Sequence, residues 1–189
     1  ILGDAILTAI ARKPGLANGR TADGIYQDFV RQVTELPKFN AKSKCMIALA
    51  FITPRVDSPM ESKTRIATTK YGLPPAVTNY TVPGATFSNG APITLDLAWP
   101  EFRVAIEYDG DHHRTDKNQW RRDNDKRELL RHHHWIVIIA TAANMADEPS
   151  QAELAYRVGR QLALRGAVFD FTLTATPLDE LARRRRRRI

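Results

Sequence analysis

Three carboxylates lie in a short stretch in which apolar and polar residues alternate. Asp96 belongs to the alternating run 93–98, whereas Glu107 and Asp109 belong to the run 102–109. Apolar side chains at every second position are typical of strands with one buried and one solvated face. Each run is therefore predicted to be a strand that carries its acids on the polar face.

A turn at Pro100-Glu101 is predicted to join the two strands as an antiparallel hairpin. In that register Asp96 faces Ala105 and lies diagonal to Glu107, roughly 7–8 Å away between backbones. Asp96, Glu107 and Asp109 then share one side. Carboxylates on one face repel each other in apolar surroundings, and a hard cation with oxygen ligands relieves the repulsion. The pattern predicts a Mg²⁺ site, and the alternative is a solvated strand face whose acids point to water.

The elements that flank the hairpin predict an α/β fold. Helical spacing and helix-breaking residues predict helices over 59–71, 116–131 and 149–165. Further strands are predicted over 76–82 and 135–140, with an edge strand over 168–174. The run 135–140 is apolar on both faces and follows a helix, which favours a parallel crossover. The predicted order is helix, three-strand meander, helix, strand, helix.

Helical spacing dominates the chain before this core. Ile25, Phe29, Val33 and Leu36 repeat at intervals typical of one helix face. We assign residues 1–56 to a helical N-terminal region, 57–166 to the α/β core, and 167–189 to a C-terminal edge strand and Arg-rich tail. The N-terminal region carries no evident chemistry, which favours a role in packing or partner contact.

The sequence Ser58-Pro-Met-Glu61 opens the first helix of the core. Ser at the N-cap, Pro at the first helical position and Glu three residues after the cap form a capping box. Glu61 therefore has two interpretations, as a helix cap or as a residue of the hairpin site.

The formal charge of +7 suggests an anionic partner, but the charge is concentrated at one end. Six of the 28 basic residues are the arginines at 183–188, and without them 22 basic residues oppose 21 acidic ones. A nearly neutral body leaves nucleic-acid affinity to a local basic patch and to the tail. The alternative for the tail is a solvated, disordered end.

The composition also bears on the compartment. A single cysteine, Cys45, excludes a disulfide framework and a cysteine zinc site within one chain, which fits a reducing cytoplasm. No signal peptide is visible, and no apolar run approaches the roughly 18 residues of a membrane span. We expect a cytoplasmic protein without a membrane partner. Because the first residue is Ile1 and not methionine, an upstream segment is expected to be missing.

Five short motifs together resemble the restriction-endonuclease-like (PD-(D/E)XK) superfamily. They are SPME at 58–61, LDLA at 95–98, IEYDG at 106–110 with His113, WRRD at 120–123 and WIVI at 135–138. Within that superfamily they are most similar to the very-short-patch-repair-type endonuclease domains of uncharacterised actinobacterial proteins. The resemblance covers residues 61–166. It implies a restriction-endonuclease-like core that hydrolyses DNA phosphodiester bonds with Mg²⁺, for which Mn²⁺ substitutes.

The resemblance also implies roles for individual residues. Asp96, Glu107 and Glu61 would hold the metal, and His113 would activate the attacking water. The superfamily usually has a lysine two residues after the second acid, where this chain has Asp109. Either Asp109 is a further metal ligand and His113 or His112 transfers the proton, or the site is impaired.

Basic residues in and before the second core helix are the predicted contacts to the DNA backbone. They are Arg114, Lys117, Arg121, Arg122 and Arg127. Related mismatch-repair nickases carry a structural zinc held partly by cysteines, which this chain cannot supply, so no structural zinc is expected. The three histidines at 132–134 are interpreted as a solvated helix end.

Other functions stay open on sequence grounds. A non-cleaving nucleic-acid-binding or regulatory protein, such as part of a toxin–antitoxin system, could keep the nuclease scaffold, and Asp109 in place of lysine favours it. A metal hydrolase for another substrate is the third hypothesis, because the body is nearly neutral. The sequence is also compatible with a homodimer.

Overall fold

A computed structural model describes residues 1–110 and 117–186 of the chain, and for residues 117–121, 185 and 186 it describes the backbone alone. The chain forms two compact units, Ile1–Ile66 with Thr176–Ile189 and Ala67–Ala175. These divisions differ from the sequence-based boundaries at residues 56 and 166. The second unit contains the hairpin with the three carboxylates.

The helices and strands are named in chain order. They are α1 Leu2–Arg12, α2 Pro14–Ala17, α3 Ala22–Glu35, α4 Lys42–Leu49, α5 Pro59–Lys70, β1 Val77–Thr86, β2 Pro92–Trp99, β3 Val104–Tyr108, α6 Lys117–His132, β4 Ile136–Ala140, α7 Glu148–Leu164 and α8 Leu178–Arg186. Within the described part of the chain, no helix is both long and apolar enough to cross a membrane.

The first unit is helical and has a small core of its own. Leu7 of α1 and Ile25 of α3 are buried together with Ala17. Asp4 is also buried, and its carboxylate accepts hydrogen bonds from Ser62 Oγ at 2.7 Å and from Arg65 Nη2 at 2.9 Å. This charge is satisfied inside the unit, as burial of a carboxylate requires. The helical N-terminal region predicted from the sequence is confirmed.

A four-stranded mixed sheet forms the centre of the second unit. Its strand order is β1-β2-β3-β4; β1, β2 and β3 pair antiparallel, and β4 pairs parallel to β3. The predicted α/β class is confirmed, and so is the parallel crossover through α6. Strand β4 is apolar on both faces because helices cover both sides of the sheet.

Each face of the sheet packs against one long helix. Helix α7 buries the stripe Leu154, Val158 and Leu162 against Leu97 and Ile106 of the hairpin. Helix α6 buries Leu130 against the opposite face, together with Trp135, Ala98 and Ala105. Glu107, a polar residue of β3 on this second face, contacts Lys126 of α6. The α6 face therefore carries the acids found in the sequence.

The segment after α7 departs from its prediction. Residues 168–174 were expected to add an edge strand, but the structure has no strand between residues 167 and 175. The amide of Thr172 donates to the carbonyl of Tyr71 at 3.1 Å, and Phe169 and Phe171 pack over Gly159 of α7. The alternating aromatic residues thus cover a helix instead of joining a sheet. A periodicity of two in the sequence cannot distinguish a sheet strand from an extended segment that packs on a helix.

The hairpin register also differs from the prediction. Trp99 pairs with Val104 and Leu97 with Ile106, two residues away from the predicted alignment. The connection has four residues, because a 3₁₀ turn at Pro100–Phe102 is followed by Arg103 in the left-handed region with φ of 48°. A shift of two residues keeps every side chain on its predicted face. Continued along the strands, the observed register places Asp96 opposite Glu107.

Candidate active site

Two carboxylates face each other across the β2–β3 hairpin. The backbone N–H of Tyr108 donates to Asp96 Oδ2 at 2.8 Å, and the N–H of Asp96 donates to Glu107 Oε1 at 3.2 Å. Each carboxylate is therefore held by a backbone amide of the opposite strand. Because these donors belong to a paired sheet, the two side chains are fixed with little freedom of rotation.

A lysine from the crossover helix completes this pair. Lys126 Nζ of α6 lies 2.5 Å from Glu107 Oε2, and the two side chains are only 22% and 19% exposed. An ion pair that is partly removed from water is screened less than a surface pair. The site therefore consists of two adjacent acids and one cation that touches the second acid.

The surroundings of Glu107 alter its acidity. The pKa of this carboxyl is raised to about 7, mainly by burial and next by the neighbouring charge of Asp96. Lys126 and the amide of Asp96 act in the opposite direction by stabilising the ionised form. A carboxyl with a pKa near neutrality beside another carboxyl is typical of functional sites.

The pair opens into a pocket of about 260 Å³ between α6 and the end of the sheet. The pocket brings together four of the predicted site residues, Asp96, Glu107, Asp109 and Arg127. Asp109 is exposed, and its backbone N–H donates to the carbonyl of Ala140 at 2.8 Å. The other residues that line the pocket are Tyr108, Gly110, Asp123, Lys126, Leu130, Val137 and Ile139.

A second, smaller pocket of about 200 Å³ shares Asp123 and Lys126 with the first. Phe87, Pro92, Thr94 and Arg122 form the rest of its lining. Arg122, predicted to contact DNA, lies with its guanidinium carbon 4.9 Å from the centre of the Phe87 ring. The two pockets therefore follow one face of α6 in succession.

Glu61 lies in the first unit and has the contacts of a helix cap. Its N–H donates to Ser58 Oγ at 3.1 Å, and its Oε2 accepts from the N–H of Asp57 at 2.9 Å. The capping box is thus present, with the carboxylate turned to the residue before the N-cap. A role for Glu61 in holding metal stays a prediction.

Several predicted residues cannot be compared with this geometry. His113, His112 and Arg114 lie outside the described residues, and the side chains of Lys117 and Arg121 do so as well. The predicted roles of His113 in proton transfer and of Arg114, Lys117 and Arg121 in DNA contact stay predictions.

The donor set at the hairpin fits one class of metal ion. Among the described residues, no group of three or more His, Cys, Asp or Glu side chains could hold a metal. The adjacent pair of Asp96 and Glu107 supplies two carboxylates, which suits Mg²⁺ because that ion is usually held by one or two carboxylates, water and substrate phosphates. The same pair is a poor match for a structural zinc, which takes four protein ligands.

Lys126 was missed in the sequence analysis, although a local signal for it exists. Leu130, one of the few apolar residues of α6, is buried against the sheet. Residues four apart share a helix face, so Lys126 one turn earlier must project toward the same sheet. The superfamily pattern places the cation at position 109, directly after β3, whereas in this chain the cation comes from α6.

Comparisons with known proteins give relatives of no stated activity. No family model matches the chain, and no solved structure matches it. Two proteins from strains of Mycobacterium tuberculosis, the uncharacterized proteins MT2308 and Rv2248, are 29% identical to it over 114 residues. The alignment covers 60% of this chain and 40% of each relative, so the chain spans well under half of the relatives' length. An activity therefore has to be inferred from the site itself.

Proposed function

We propose that the chain is a Mg²⁺-dependent endonuclease that hydrolyses phosphodiester bonds of DNA at the Asp96–Glu107 pair. The observation that carries this proposal is the triad of Asp96, Glu107 and Lys126, in which a lysine ammonium contacts the second of two adjacent carboxylates. Such a set could hold a divalent ion and place a positive charge beside a phosphate. The restriction-endonuclease-like arrangement inferred from the sequence motifs supports the same chemistry.

Each member of the triad has a distinct role in this proposal. Asp96 and Glu107 would hold Mg²⁺, which supplies a bound water of lowered pKa and shields the charge that grows on the phosphate oxygens. Lys126 lowers the pKa of Glu107, which favours the ionised form that would hold the metal, and it presents an ammonium group to the developing negative charge. Lys126 thus supplies the cation that position 109 lacks, so Asp109 need not indicate an impaired site.

Other residues of the pocket fit the binding of a polyanion. Arg127 lines the pocket next to Lys126, and Arg122 lines the adjoining pocket. Phosphate contacts by such residues fix the position of the nucleic acid and carry no sequence information. The DNA would therefore be held mainly through its backbone.

The proposal is tested by a nicking assay on supercoiled, mismatched and single-stranded DNA with Mg²⁺, Mn²⁺ or EDTA. Wild type is expected to cut in either metal and not in EDTA. Asp96→Asn and Glu107→Gln keep the size of each side chain and are expected to lower the rate at least about 100-fold. Cutting that persists in both variants would contradict the proposal.

A non-cleaving nucleic-acid-binding protein on the same scaffold is the second candidate. The observation that favours it is the contact between Lys126 and Glu107, since a protein cation there already offsets part of the negative charge that a metal would offset. This candidate predicts DNA binding that is unchanged by EDTA and by Asp96→Asn, with no cutting under any metal condition.

A further inference from the structure

The smaller pocket beside the carboxylate pair has an aromatic and cationic wall. Phe87 is partly buried, and the exposed side chain of Arg122 lies over its ring at 4.9 Å. Pro92 and Thr94 extend this wall. Through Lys126, which lines both pockets and contacts Glu107, the wall adjoins the candidate active site.

The position of Phe87 is fixed by a short turn between β1 and β2. The N–H of Phe87 donates to the carbonyl of Ala91 at 2.9 Å, and the N–H of Gly90 donates to the carbonyl of Phe87 at 2.9 Å. Ala91 in turn donates its N–H to the side-chain oxygen of Asn89 at 3.1 Å. These bonds fix the backbone at Phe87, and its side chain is partly buried, so a ligand that stacks on the ring costs little further ordering.

The chemistry of the wall suits a nucleobase better than a phosphate alone. Aromatic rings and guanidinium planes are the surfaces on which unpaired bases stack, with little dependence on sequence. The adjoining pocket supplies Lys126 and Arg127, which suit the phosphate that follows the base. A base and its neighbouring phosphate would thus occupy two successive pockets along α6.

We propose that Phe87 and Arg122 form a stacking subsite for one unpaired base of DNA, next to the phosphate that Lys126 and Arg127 hold beside the Asp96–Glu107 pair. This inference rests on the proposed endonuclease function, and it specifies the substrate as single-stranded or locally opened DNA. Bases of an intact duplex are stacked on each other, and extruding one of them costs free energy. A mismatched or single-stranded position therefore binds this subsite more readily than a paired one.

The test uses the full chain and short single-stranded DNA oligonucleotides that carry one abasic position at a time. Affinity is measured by fluorescence anisotropy in EDTA and in Mg²⁺, and products are followed in the Mg²⁺ samples. For wild type, one abasic position is expected to lower affinity about tenfold, the size of effect typical of one base–aromatic stack. Phe87→Leu is expected to lower affinity for the intact oligonucleotide about tenfold and to abolish sensitivity to that position.

Two further variants keep the result interpretable. Arg122→Gln changes an exposed side chain and is expected to weaken the same positional effect without changing thermal stability. Tyr156→Leu removes an exposed aromatic ring from α7, which packs on the opposite face of the sheet, and is expected to bind every oligonucleotide as wild type does.

The possible outcomes separate this inference from the function on which it rests. If wild type binds and cuts but no abasic position matters, or if Phe87→Leu keeps the positional effect, the stacking subsite is refuted and the endonuclease stands. If wild type neither binds nor cuts any of these oligonucleotides or the DNA of the nicking assay, both are refuted. If cutting by Phe87→Leu shows an unchanged kcat and an about tenfold higher KM, the subsite is supported.

Discussion

At the scale of single residues, the chemistry of the site depends on the environment of Glu107. Burial and the charge of Asp96 raise the pKa of its carboxyl to about 7, so this group can gain or lose a proton near neutral pH. Sequence spacing identified Asp96, Glu107 and Asp109 as a group of acids on one face. It could not give their relative burial, which depends on how α6 covers the sheet, and it gave no reason to look for Lys126.

The raised pKa of Glu107 predicts how stability depends on pH. The folded state binds this proton more tightly than the unfolded chain, in which the group titrates near 4.5. The stabilisation of the folded state by protonated Glu107 is therefore fully present below pH about 4.5. It is lost as the pH rises through about 7, and the loss reaches up to about 3 kcal/mol. Urea unfolding of the metal-free protein in EDTA between pH 5 and 8 measures this loss, and Glu107→Gln should lack it. If the free energies of unfolding of the two proteins change with pH in parallel, the pKa of Glu107 is not raised in the folded state.

Lys126 should affect both the pKa of Glu107 and the nicking rate. Because its ammonium lowers the pKa of Glu107, Lys126→Gln should move the midpoint of the pH-dependent loss of stability to higher pH. The nicking rate at neutral pH should also fall, by about 100-fold or more. Lys126→Arg keeps the charge and serves as the matched control, with a midpoint close to wild type. If Lys126→Gln leaves both the midpoint and the nicking rate unchanged, Lys126 has no role in the site.

At the scale of elements, the hairpin connection sets which acids face each other. A two-residue turn predicted Asp96 diagonal to Glu107, whereas the four-residue connection through Arg103 aligns them. The sequence predicted the strands and their faces because alternation has a period of two, and a shift of two residues leaves that pattern unchanged. Register depends on turn geometry, and the left-handed Arg103 has no marker of the kind that Gly or Asn would provide.

Gly72 is the element-scale position with the sharpest steric requirement. It follows α5 with φ of +86°, and a Cβ there would lie 2.0 Å from the carbonyl oxygen of Asp170. Gly72→Ala should lower the free energy of unfolding by about 3 kcal/mol or more, since both the backbone angle and the contact are unfavourable. Gly90→Ala is the control, because Gly90 has φ of +79° but open space around its Cβ position. It should cost only about 1 kcal/mol by chemical denaturation. Equal losses would mean that residue 170 does not pack against Gly72.

At the scale of the whole molecule, charge and connectivity are predictable to different degrees. The sequence shows a nearly neutral body with an arginine run at its end, and that balance needs no structure. The return of α8 to the first unit could not be predicted, because packing of α8 against α4 joins residues more than a hundred positions apart. Local periodicity contains no information about contacts at such separation.

The arginine run predicts a large part of the salt dependence of DNA binding. Arg183 and Arg184 pair with Asp179 and Glu180 at 2.8 and 2.6 Å, which offsets part of the run's charge. Removal of residues 183–189 should therefore reduce the slope of log affinity against log salt by about 2 to 4. Arg157→Gln with Arg160→Gln, two exposed changes on α7, should leave the slope unchanged. An unchanged slope after truncation would assign DNA binding to the body alone.

The proposed activity depends most on the ability of Asp96 and Glu107 to hold a divalent metal. Isothermal titration of Mg²⁺ and Mn²⁺ into wild type, Asp96→Asn and Glu107→Gln at pH 8, where Glu107 is ionised, tests this directly. We predict binding to wild type at millimolar or lower concentration and no measurable binding to either variant. Identical titrations for the three proteins, or no heat of binding to wild type, would contradict a metal centre at this hairpin.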